Sequence, residues 1–205
     1  MFMFAVERPS EMPNRAAKSE LRRQLRRARA ALPEKERIAA TRAANCFLKR
    51  FIRRGSRIGI YWPVGSEMRL DGLIQTALSR GAELYMPYIE PHSLRLWFTP
   101  YQADAAQAER KRGSTRLHIP QFGGKKIRAH RLHVLCVPLV GIDRQGYRLG
   151  QGGGYYDVSL AALKGRTRPQ TVGVGFACQL CDALPYEPHD IRLDAFVCEQ
   201  GIIRF

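Results

Sequence analysis

The 205-residue sequence lacks an apolar run long enough to cross a membrane. Its uninterrupted apolar segments fall well short of the roughly 18 residues that suggest a transmembrane helix. The N-terminal letters MFMFAV are too few for the core of a signal peptide, no basic segment precedes them, and charged residues follow at once. The sequence therefore predicts neither a membrane span nor a secretory signal, and we expect a cytoplasmic protein.

Cysteine is scarce, and its distribution argues against disulfides and zinc. The chain has five cysteines: Cys46, Cys136, Cys178, Cys181 and Cys198. An odd number at scattered spacing is typical of reduced thiols in an intracellular protein. Cys178 and Cys181 form one CxxC pair, but a zinc site needs a second pair or nearby histidines, and the sequence offers neither. We interpret all five as structural or incidental thiols.

Acidic residues are few compared with basic ones. The chain has 34 Lys and Arg against 18 Asp and Glu, a formal net charge of +16, and residues 1–57 are the most basic segment. Such an excess predicts attraction to anions, which include nucleic acids and ligands rich in phosphate or carboxylate. A solvated arginine-rich surface explains the same numbers, so charge alone leaves these alternatives open.

Hydrophobic periodicity alternates between strand and helix along most of the chain. It predicts helices over 18–33, 33–53, 69–80 and 154–164, strands over 56–62, 82–88, 94–100, 132–140, 171–177 and 194–198, and a long polar loop within 101–130. This alternation predicts a single α/β domain over 15–205, with a mostly parallel central sheet flanked by helices. Residues 1–14, with their PSEMP segment, are predicted to be a flexible extension.

The first predicted helix combines an apolar stripe with a basic one. Leu21, Leu25, Ala28 and Leu32 share one helical spacing, and Lys18, Arg22, Arg26 and Arg29 share the same spacing one ridge away. We expect the first set to be buried, so the basic line borders the buried face instead of lying on the opposite side.

The most informative segment is RLGQGGGYYD, from Arg148 to Asp157. It follows a predicted buried strand and opens a predicted helix, and ligands of open parallel sheets bind beyond the carboxyl ends of the strands. Glycines let consecutive backbone amides turn toward an anion, and the arginine adds a cation suited to phosphate. Asp157 supplies a carboxylate for a divalent cation that bridges phosphates. The segment therefore predicts a nucleoside triphosphate site.

Two common glycine motifs do not fit this loop. A P-loop continues with Gly-Lys-Ser/Thr, whereas this loop continues with Gly-Tyr-Tyr. The dinucleotide pattern GxGxxG is met at Gly150 and Gly152 but fails at Tyr155.

Val137 to Asp157, with the letters VPLVGIDRQGYRLGQGGGYYD, strongly resembles the signature of 5-formyltetrahydrofolate cyclo-ligases, also called methenyltetrahydrofolate synthetases. Three more segments resemble that family in the same order: KSELR at 18–22, IYWPVGSEMRLDGLI at 60–74 and LPYEPHDIRLDAFVCEQG at 184–201. The resemblance implies an isomerase/CoA-transferase-like α/β fold, related to ribose-5-phosphate and glucosamine-phosphate isomerases. It also implies MgATP-dependent conversion of 5-formyltetrahydrofolate to 5,10-methenyltetrahydrofolate, with release of ADP and phosphate.

The resemblance assigns roles to particular residues. It implies Arg148 and Tyr155 as catalytic residues, and Asp157 and Asp190 as ligands of Mg²⁺. The implied ATP contacts are Lys18, Arg22, Arg148, Leu149, Gly150, Gln151, Gly152, Gly153, Gly154, Tyr155 and Tyr156. The implied folate contacts are Trp62, Glu67, Gln151, Gly152, Gly153, Gly154 and Tyr155. With these small-molecule ligands we expect a monomer with no membrane or nucleic-acid partner.

Two positions depart from the family pattern. Gln151 stands where the family often has arginine or lysine, and Gln121 stands where a glutamate is expected. A paralogue with an intact ATP site and a different substrate is therefore an open alternative. A second alternative, from another class, is a basic nucleic-acid-binding protein, although the sequence offers no stacking platform or reading helix for it.

Overall fold

A computed structural model of the protein describes residues 14–102, 109–112, 115–163, 168–187 and 190–205. The helices are α1 (Asn14–Ala30), α2 (Glu34–Leu48), α3 (Asp71–Ser79) and α4 (Tyr155–Ala161). The first six strands are β1 (Arg57–Gly59), β2 (Glu83–Tyr88), β3 (Trp97–Pro100), β4 (Glu109–Arg112), β5 (Thr115–Pro120) and β6 (Val134–Pro138). The other six are β7 (Gly141–Asp143), β8 (Arg148–Leu149), β9 (Gln170–Val174), β10 (Leu180–Cys181), β11 (Ala195–Cys198) and β12 (Gly201–Arg204).

A seven-stranded sheet with the order β12-β11-β9-β6-β1-β2-β3 forms the centre of the domain. The five inner strands pair in parallel, and β12 and β3 pair antiparallel at the two edges. The predicted single α/β domain with a mostly parallel sheet is therefore confirmed. The chain leaves β1 toward β2 on one side and later returns to β6 on the other. This reversal of strand order between β1 and β6 is the place where open α/β sheets bind ligands.

Apolar clusters cover both faces of the sheet. On one face, Leu48 of α2 and Leu73 of α3 pack over inward-pointing strand residues such as Ile58. On the other face, Leu160 of α4 packs with Leu135 and neighbouring residues. Because the inner strands are buried on both sides, their sequences are continuously apolar rather than alternating.

A small second sheet, ordered β10-β7-β8, presents the glycine segment. Asp143, 2% exposed, sits at the turn between β7 and β8, as expected for a residue that fixes the turn. Its Oδ1 accepts hydrogen bonds from the amides of Gln145 and Tyr147, both at 2.9 Å, and its Oδ2 accepts one from Leu184 at 3.2 Å. This buried carboxylate fixes where β8, and therefore Arg148, leaves the sheet.

Several sequence expectations about the elements were wrong. Part of the 101–130 segment is a hairpin of β4 and β5, which apolar patterning missed because β4 reads ERKR. Strand β12 follows the strand that was expected to be last. The helices α2, α3 and α4 are shorter than predicted, because a 3₁₀ turn, Lys49–Phe51, ends the α2 region and the last turn of α3 and of α4 is not α-helical.

The stripe on α1 also needs correction. Leu25 is buried as expected, against Val140, Leu149 and Leu184, but Ala28 is exposed and Arg29 is only 5% exposed. The basic ridge, not only the apolar one, therefore turns inward. The predicted extension 1–14 lies almost entirely outside the described residues, and α1 begins at Asn14.

Candidate active site

A cavity of about 610 Å³ opens at the carboxyl edge of β1, β2 and β6. Tyr61 and Trp62 follow β1, Pro87 and Ile89 come from the end of β2, and Pro138 ends β6. Its remaining lining is Lys18, Arg22, Arg26, Val64, Glu67, Leu96, Ile119, every residue from Arg148 to Asp157, Glu187 and Asp190. The cavity therefore gathers Trp62, Glu67, Asp190 and all the site residues predicted from α1 and the glycine segment.

Helix α1 supplies one wall of the cavity, and its cations are aimed at it. Lys18, Arg22 and Arg26, at i, i+4 and i+8, all line the cavity. The Nε of Arg22 donates to the carbonyl of Gly150 at 2.8 Å. Arg29, one turn further, donates from Nε to Ser66 Oγ at 3.0 Å and so ties α1 to the loop after β1. Three residues of the predicted basic ridge thus line the cavity, and the fourth, Arg29, is buried.

The glycine segment needs glycine at specific positions. Gly152 and Gly154 have φ angles of +100° and +68°, a backbone region that is strained for residues with a Cβ. At Gly150 a Cβ would lie 2.7 Å from Nη1 of Arg148, so a side chain there would require that guanidinium to shift. Gly154 is the residue directly before α4. The segment is therefore a specific turn, not a flexible linker.

Arg148 and Asp157 form an ion pair at the two ends of this segment. The Nη2 of Arg148 lies 2.7 Å from Oδ1 of Asp157, and the side chains are 3% and 27% exposed. The Nε of Arg148 is buried without a hydrogen-bond partner among the described residues. The guanidinium also lies 5.7 Å from the ring centre of Tyr156. An orphaned buried donor beside a paired carboxylate indicates a group whose full set of partners includes a ligand.

A second set of charges joins α1 to the C-terminal segment. Lys18 Nζ lies 3.1 Å from Oδ2 of Asp190 and 3.2 Å from Oε1 of Glu187. The same oxygen of Asp190 accepts the amide of Glu187 at 2.8 Å. Lys18 is 13% exposed and Asp190 is 16% exposed, so this pair is largely shielded from solvent.

Arg22 interacts electrostatically with both Asp157 and Asp190. Burial and the neighbouring cation Arg26 lower the pKa of Arg22, whereas Asp157 and Asp190 both raise it. Both aspartates therefore act on one guanidinium, which places them around the same part of the cavity. Mg²⁺ in nucleotide sites is held by one or two carboxylates together with phosphates, and this donor set fits that requirement. No group of three or more His, Cys, Asp or Glu side chains arranged for a metal occurs among the described residues.

Glu67 and Trp62 form the opposite side of the cavity. Glu67 is 8% exposed, and its Oε2 accepts the amide of Val64 at 3.0 Å while its Oε1 accepts Gln151 Nε2 at 2.7 Å. It does not cap α3, which begins after Leu70. Trp62 is 43% exposed, which rules out a core role and leaves an aromatic surface facing the cavity. Tyr155 is half-buried and also packs against the core beside α4.

Sequence reasoning assigned no role to several residues of the cavity. Arg26 lines it and was detectable, because it continues the spacing of Lys18 and Arg22. Glu187 shares Lys18 with Asp190, and only its three-residue separation from Asp190 hinted at this. The apolar wall from Leu96 and Ile119 comes from segments that carry no motif, whereas Gln121 is absent from the cavity lining.

The fold and this site define a class of protein. The parallel sheet has a cleft at its switch point, with cations on one wall and carboxylates beside a glycine turn. This combination is typical of enzymes that act on phosphate-bearing ligands. A helix able to cross a bilayer is missing from the part of the chain that the structure describes.

Comparison with known proteins narrows this class. The family model described as the 5-formyltetrahydrofolate cyclo-ligase family matches residues 14–199. The cyclo-ligase of Escherichia coli (strain K12) is 33% identical over 142 residues, which cover 68% of this chain and 76% of that protein. The Haemophilus influenzae cyclo-ligase is 27% identical over 184 residues, covering 88% of this chain and 96% of that protein. The chain belongs to the 5-formyltetrahydrofolate cyclo-ligase family, and it is an enzyme of that kind.

Solved structures agree with this assignment. The NMR structure of Aquifex aeolicus 5,10-methenyltetrahydrofolate synthetase superposes with a TM-score of 0.72 at 27% identity, covering 91% of this chain and 92% of that one. A 5,10-methenyltetrahydrofolate synthetase from Mycoplasma pneumoniae shares the fold, with a TM-score of 0.70 at 23% identity over 89% of this chain and 98% of that one.

Proposed function

We propose that this protein converts 5-formyltetrahydrofolate to 5,10-methenyltetrahydrofolate in a reaction that consumes ATP and requires Mg²⁺. One observation carries the proposal: the cations of α1, the glycine segment and the carboxylates of Asp157 and Asp190 meet at a single cavity. Its volume of about 610 Å³ lies within the range of roughly 300–1,000 Å³ common for small-molecule sites. Membership of the cyclo-ligase family supplies the substrate.

The chemistry proceeds in two balanced steps. The formyl oxygen attacks the γ-phosphorus, an O–P bond forms, the bond to the β,γ-bridging oxygen breaks, and ADP leaves. N10 then attacks the formyl carbon, the C–O bond breaks with release of inorganic phosphate, and N10 loses its proton. Phosphoryl transfer of this kind needs positioning and neutralisation of charge more than covalent help from the protein.

The cation wall suits the phosphate chain. Lys18 and Arg22 lie one helical turn apart on the cavity side of α1, and we assign both to the ATP phosphates. Arg148 and Tyr155 remain the proposed catalytic residues, with Arg148 stabilising the transferring group. The backbone from Leu149 to Tyr156 is proposed as the cradle of the nucleotide, because Gly152 and Gly154 give it its turned conformation.

Asp157 and Asp190 would hold Mg²⁺ together with the phosphates. The ion would supply positive charge against the phosphate oxygens. Each aspartate pairs with a cation in the structure, Asp157 with Arg148 and Asp190 with Lys18. With MgATP bound, Arg148 and Lys18 would hold phosphate oxygens, and the two carboxylates would hold the metal.

The folate is proposed to lie against Trp62, Glu67 and Tyr155. An ionised carboxylate has about four acceptor positions, and two hydrogen bonds already hold Glu67, so about two remain for N–H donors on the pterin part. Apolar side chains beside Trp62, from Val64, Pro87 and Ile89, suit an aromatic ring.

Part of the basic charge of the chain lies at this site. Lys18, Arg22 and Arg26 face the cavity and Arg29 is buried, which supports a small-molecule site over a nucleic-acid surface on this helix. All five cysteines are free, which is in keeping with the proposed cytoplasmic location. We propose a monomer.

The deciding experiment follows the near-ultraviolet absorbance band of the methenyl product after mixing protein, 5-formyltetrahydrofolate and MgATP. Product formation that requires both ATP and Mg²⁺ is the expected result. Absence of product, together with salt-sensitive RNA binding, would refute the proposal. ATP hydrolysis stimulated by another formyl or carboxyl compound, without methenyl product, would instead support a paralogue with a different substrate.

A matched pair of variants tests the cation wall. Arg22→Gln is expected to raise the KM for ATP about tenfold or more, because a charge-assisted contact contributes roughly 1.5–3 kcal/mol. Arg23→Gln changes the next residue of the same helix, which is 60% exposed and pairs with Glu20. It is expected to leave the KM unchanged. Equal KM values for ATP in both variants would show that Arg22 does not contact ATP.

A further inference from the structure

The side chain of Gln151 connects two walls of the cavity. Arg26 on α1 donates to its Oε1 from Nη2 at 2.6 Å and from Nε at 3.1 Å. Its own Nε2 donates to Oε1 of Glu67 at 2.7 Å. A continuous line of hydrogen bonds therefore runs from the helix, through the glycine segment, to the loop that follows β1.

Chemistry fixes the orientation of this amide. A guanidinium only donates hydrogen bonds, so the amide oxygen must face Arg26. An ionised carboxylate only accepts, so the amide NH₂ must face Glu67. A flipped amide would place two donors against each other and two acceptors against each other. The network therefore admits one arrangement, in which Gln151 is fixed at both ends.

Glu67 depends on this donor. It is 8% exposed, and a buried carboxylate without hydrogen-bond donors is costly. The amide of Val64 holds one of its oxygens, and Gln151 holds the other. Removing the Gln151 donor frees the carboxylate to rotate away from the position it has in the cavity.

The neutral side chain at position 151 also fits the surrounding charge. Arg26 directly contacts Gln151. The Cζ of Arg22 is also close, because it lies 3.8 Å from the position that a Cβ on the next residue, Gly152, would occupy. Arg26 already lowers the pKa values of both Arg22 and Arg29 by repulsion, which for both residues adds to the effect of burial. A third cation at position 151 would therefore be repelled by Arg26. The neutral amide instead accepts a hydrogen bond from Arg26 and donates one to Glu67.

We propose that Gln151 is a positioning residue that holds Glu67 in its orientation toward the folate. In this relay, the amide accepts hydrogen bonds from the Arg26 cation and donates one to the Glu67 carboxylate. The inference rests on the proposed function, because it takes folate as the ligand that Glu67 meets. It also explains why a site that departs from the family pattern at position 151 keeps a defined geometry.

The first test exchanges the donor for an acceptor. Gln151→Glu places a carboxylate against Glu67, and we expect the KM for 5-formyltetrahydrofolate at pH 8 to rise about tenfold, the equivalent of one lost charge-assisted hydrogen bond. The KM for ATP should rise less than the folate KM, because the backbone rather than the side chain of Gln151 is assigned to the nucleotide. Lowering the pH should reduce the defect, because a protonated carboxyl group at 151 can donate to Glu67 as the amide did.

A matched control exists on α1. Gln24 donates to Glu20 at 3.1 Å on the exposed side of the helix, so Gln24→Glu makes the same chemical change beside the same residue type, away from the cavity. It should leave both KM values and their pH dependence unchanged. An equal folate KM in wild type and Gln151→Glu, or a pH-independent defect, would overturn the positioning role.

The second test moves the cation. Gln151→Lys keeps a donor for Glu67 but opposes Arg26, so the folate KM should rise. Adding Arg26→Gln removes that opposition and should restore the folate KM to within about threefold of wild type, since close charge pairs couple by about 1 kcal/mol or more. A double variant whose folate KM is no lower than that of Gln151→Lys alone would contradict the relay from Arg26 through Gln151 to Glu67.

A third measurement separates this inference from the proposed function. A double-mutant cycle with Gln151→Ala and Glu67→Gln, read from urea unfolding, should show coupling of at least about threefold in the unfolding equilibrium constant. If wild type forms no methenyl product but the coupling is present, the proposed function fails and the Gln151–Glu67 linkage stands. If product forms but coupling and the folate effect are both absent, the positioning role fails alone.

Discussion

Arg148 and Asp157 hold each other at 2.7 Å across the glycine segment, with the arginine side chain only 3% exposed. The pair keeps the two ends of the turn together before any ligand arrives. The same two groups are the ones proposed for phosphate and Mg²⁺, so bound MgATP would replace the contact between them by contacts with phosphate and metal.

Replacement of Asp157 tests this exchange. Asp157→Asn keeps an acceptor for Arg148 but removes the charge proposed for Mg²⁺, so we expect Mg²⁺-dependent turnover to be lost while the fold persists. Product absorbance and far-ultraviolet circular dichroism measure the two properties. The control is Asp182→Asn, which alters an aspartate that is 93% exposed and pairs with Arg144. Wild-type turnover in Asp157→Asn would show that the metal site is elsewhere.

The left-handed glycines provide a prediction with an internal control. Gly154 and Gly55 have φ angles of +68° and +70°, and among the described residues other than their chain neighbours no atom lies within 4 Å of a Cβ at either one. Alanine should therefore cost about 1–2 kcal/mol of unfolding free energy at both positions through backbone strain alone. Only Gly154→Ala should lower turnover, because only Gly154 lines the cavity. A similar loss of turnover in Gly55→Ala would show that lowered stability, rather than a changed turn, reduces turnover in Gly154→Ala.

One small apolar cluster holds α1 in addition to its polar contacts. Leu25, 9% exposed, packs with Val140, Leu149 and Leu184, separate from the two main cores. Leu25→Ala should cost about 2–4 kcal/mol locally and loosen α1, which carries Lys18, Arg22 and Arg26. We expect faster amide hydrogen exchange in α1 than in β6, and a raised KM for ATP. Unchanged exchange in α1 would mean that its polar contacts suffice to hold it.

The two tryptophans allow folate binding to be read directly. Trp62 faces the cavity, whereas Trp97 on β3 donates from Nε1 to Glu90 at 2.8 Å and stacks under Arg128. Added 5-formyltetrahydrofolate should quench the fluorescence of wild type and of Trp97→Phe, and should leave that of Trp62→Phe nearly unchanged. Quenching that persists in Trp62→Phe would show that the pterin does not bind beside Trp62.

Parts of this site could be predicted from sequence because they follow a repeating geometry. Lys18, Arg22 and Arg26 share a helical face, so their common direction was predictable, and the glycine segment after a buried strand indicated the correct edge of the sheet. The burial of Arg29 could not be predicted, because burial of a cation depends on distant partners, here Ser66 and the carbonyl of Leu139. The β4–β5 hairpin escaped detection because its first strand carries no apolar residue.

The pairing of Arg148 with Asp157 could not be predicted for a different reason. Sequence spacing suggested a ligand between the two groups, whereas in the free protein the chain curves enough for them to touch. The bridge from Arg26 through Gln151 to Glu67 joins three segments whose alignment only the folded sheet determines. Local patterns specify which groups are available, and the tertiary structure decides which of them meet.

The contact between Lys18 and Asp190 joins residues 172 positions apart. During synthesis, α1 leaves the ribosome long before its carboxylate partners exist. A growing chain that has not reached residue 187 carries Lys18 without the two carboxylates that pair with it in the folded protein. The wall of the cavity around Lys18 is therefore completed only after the C-terminal segment has been translated and folded.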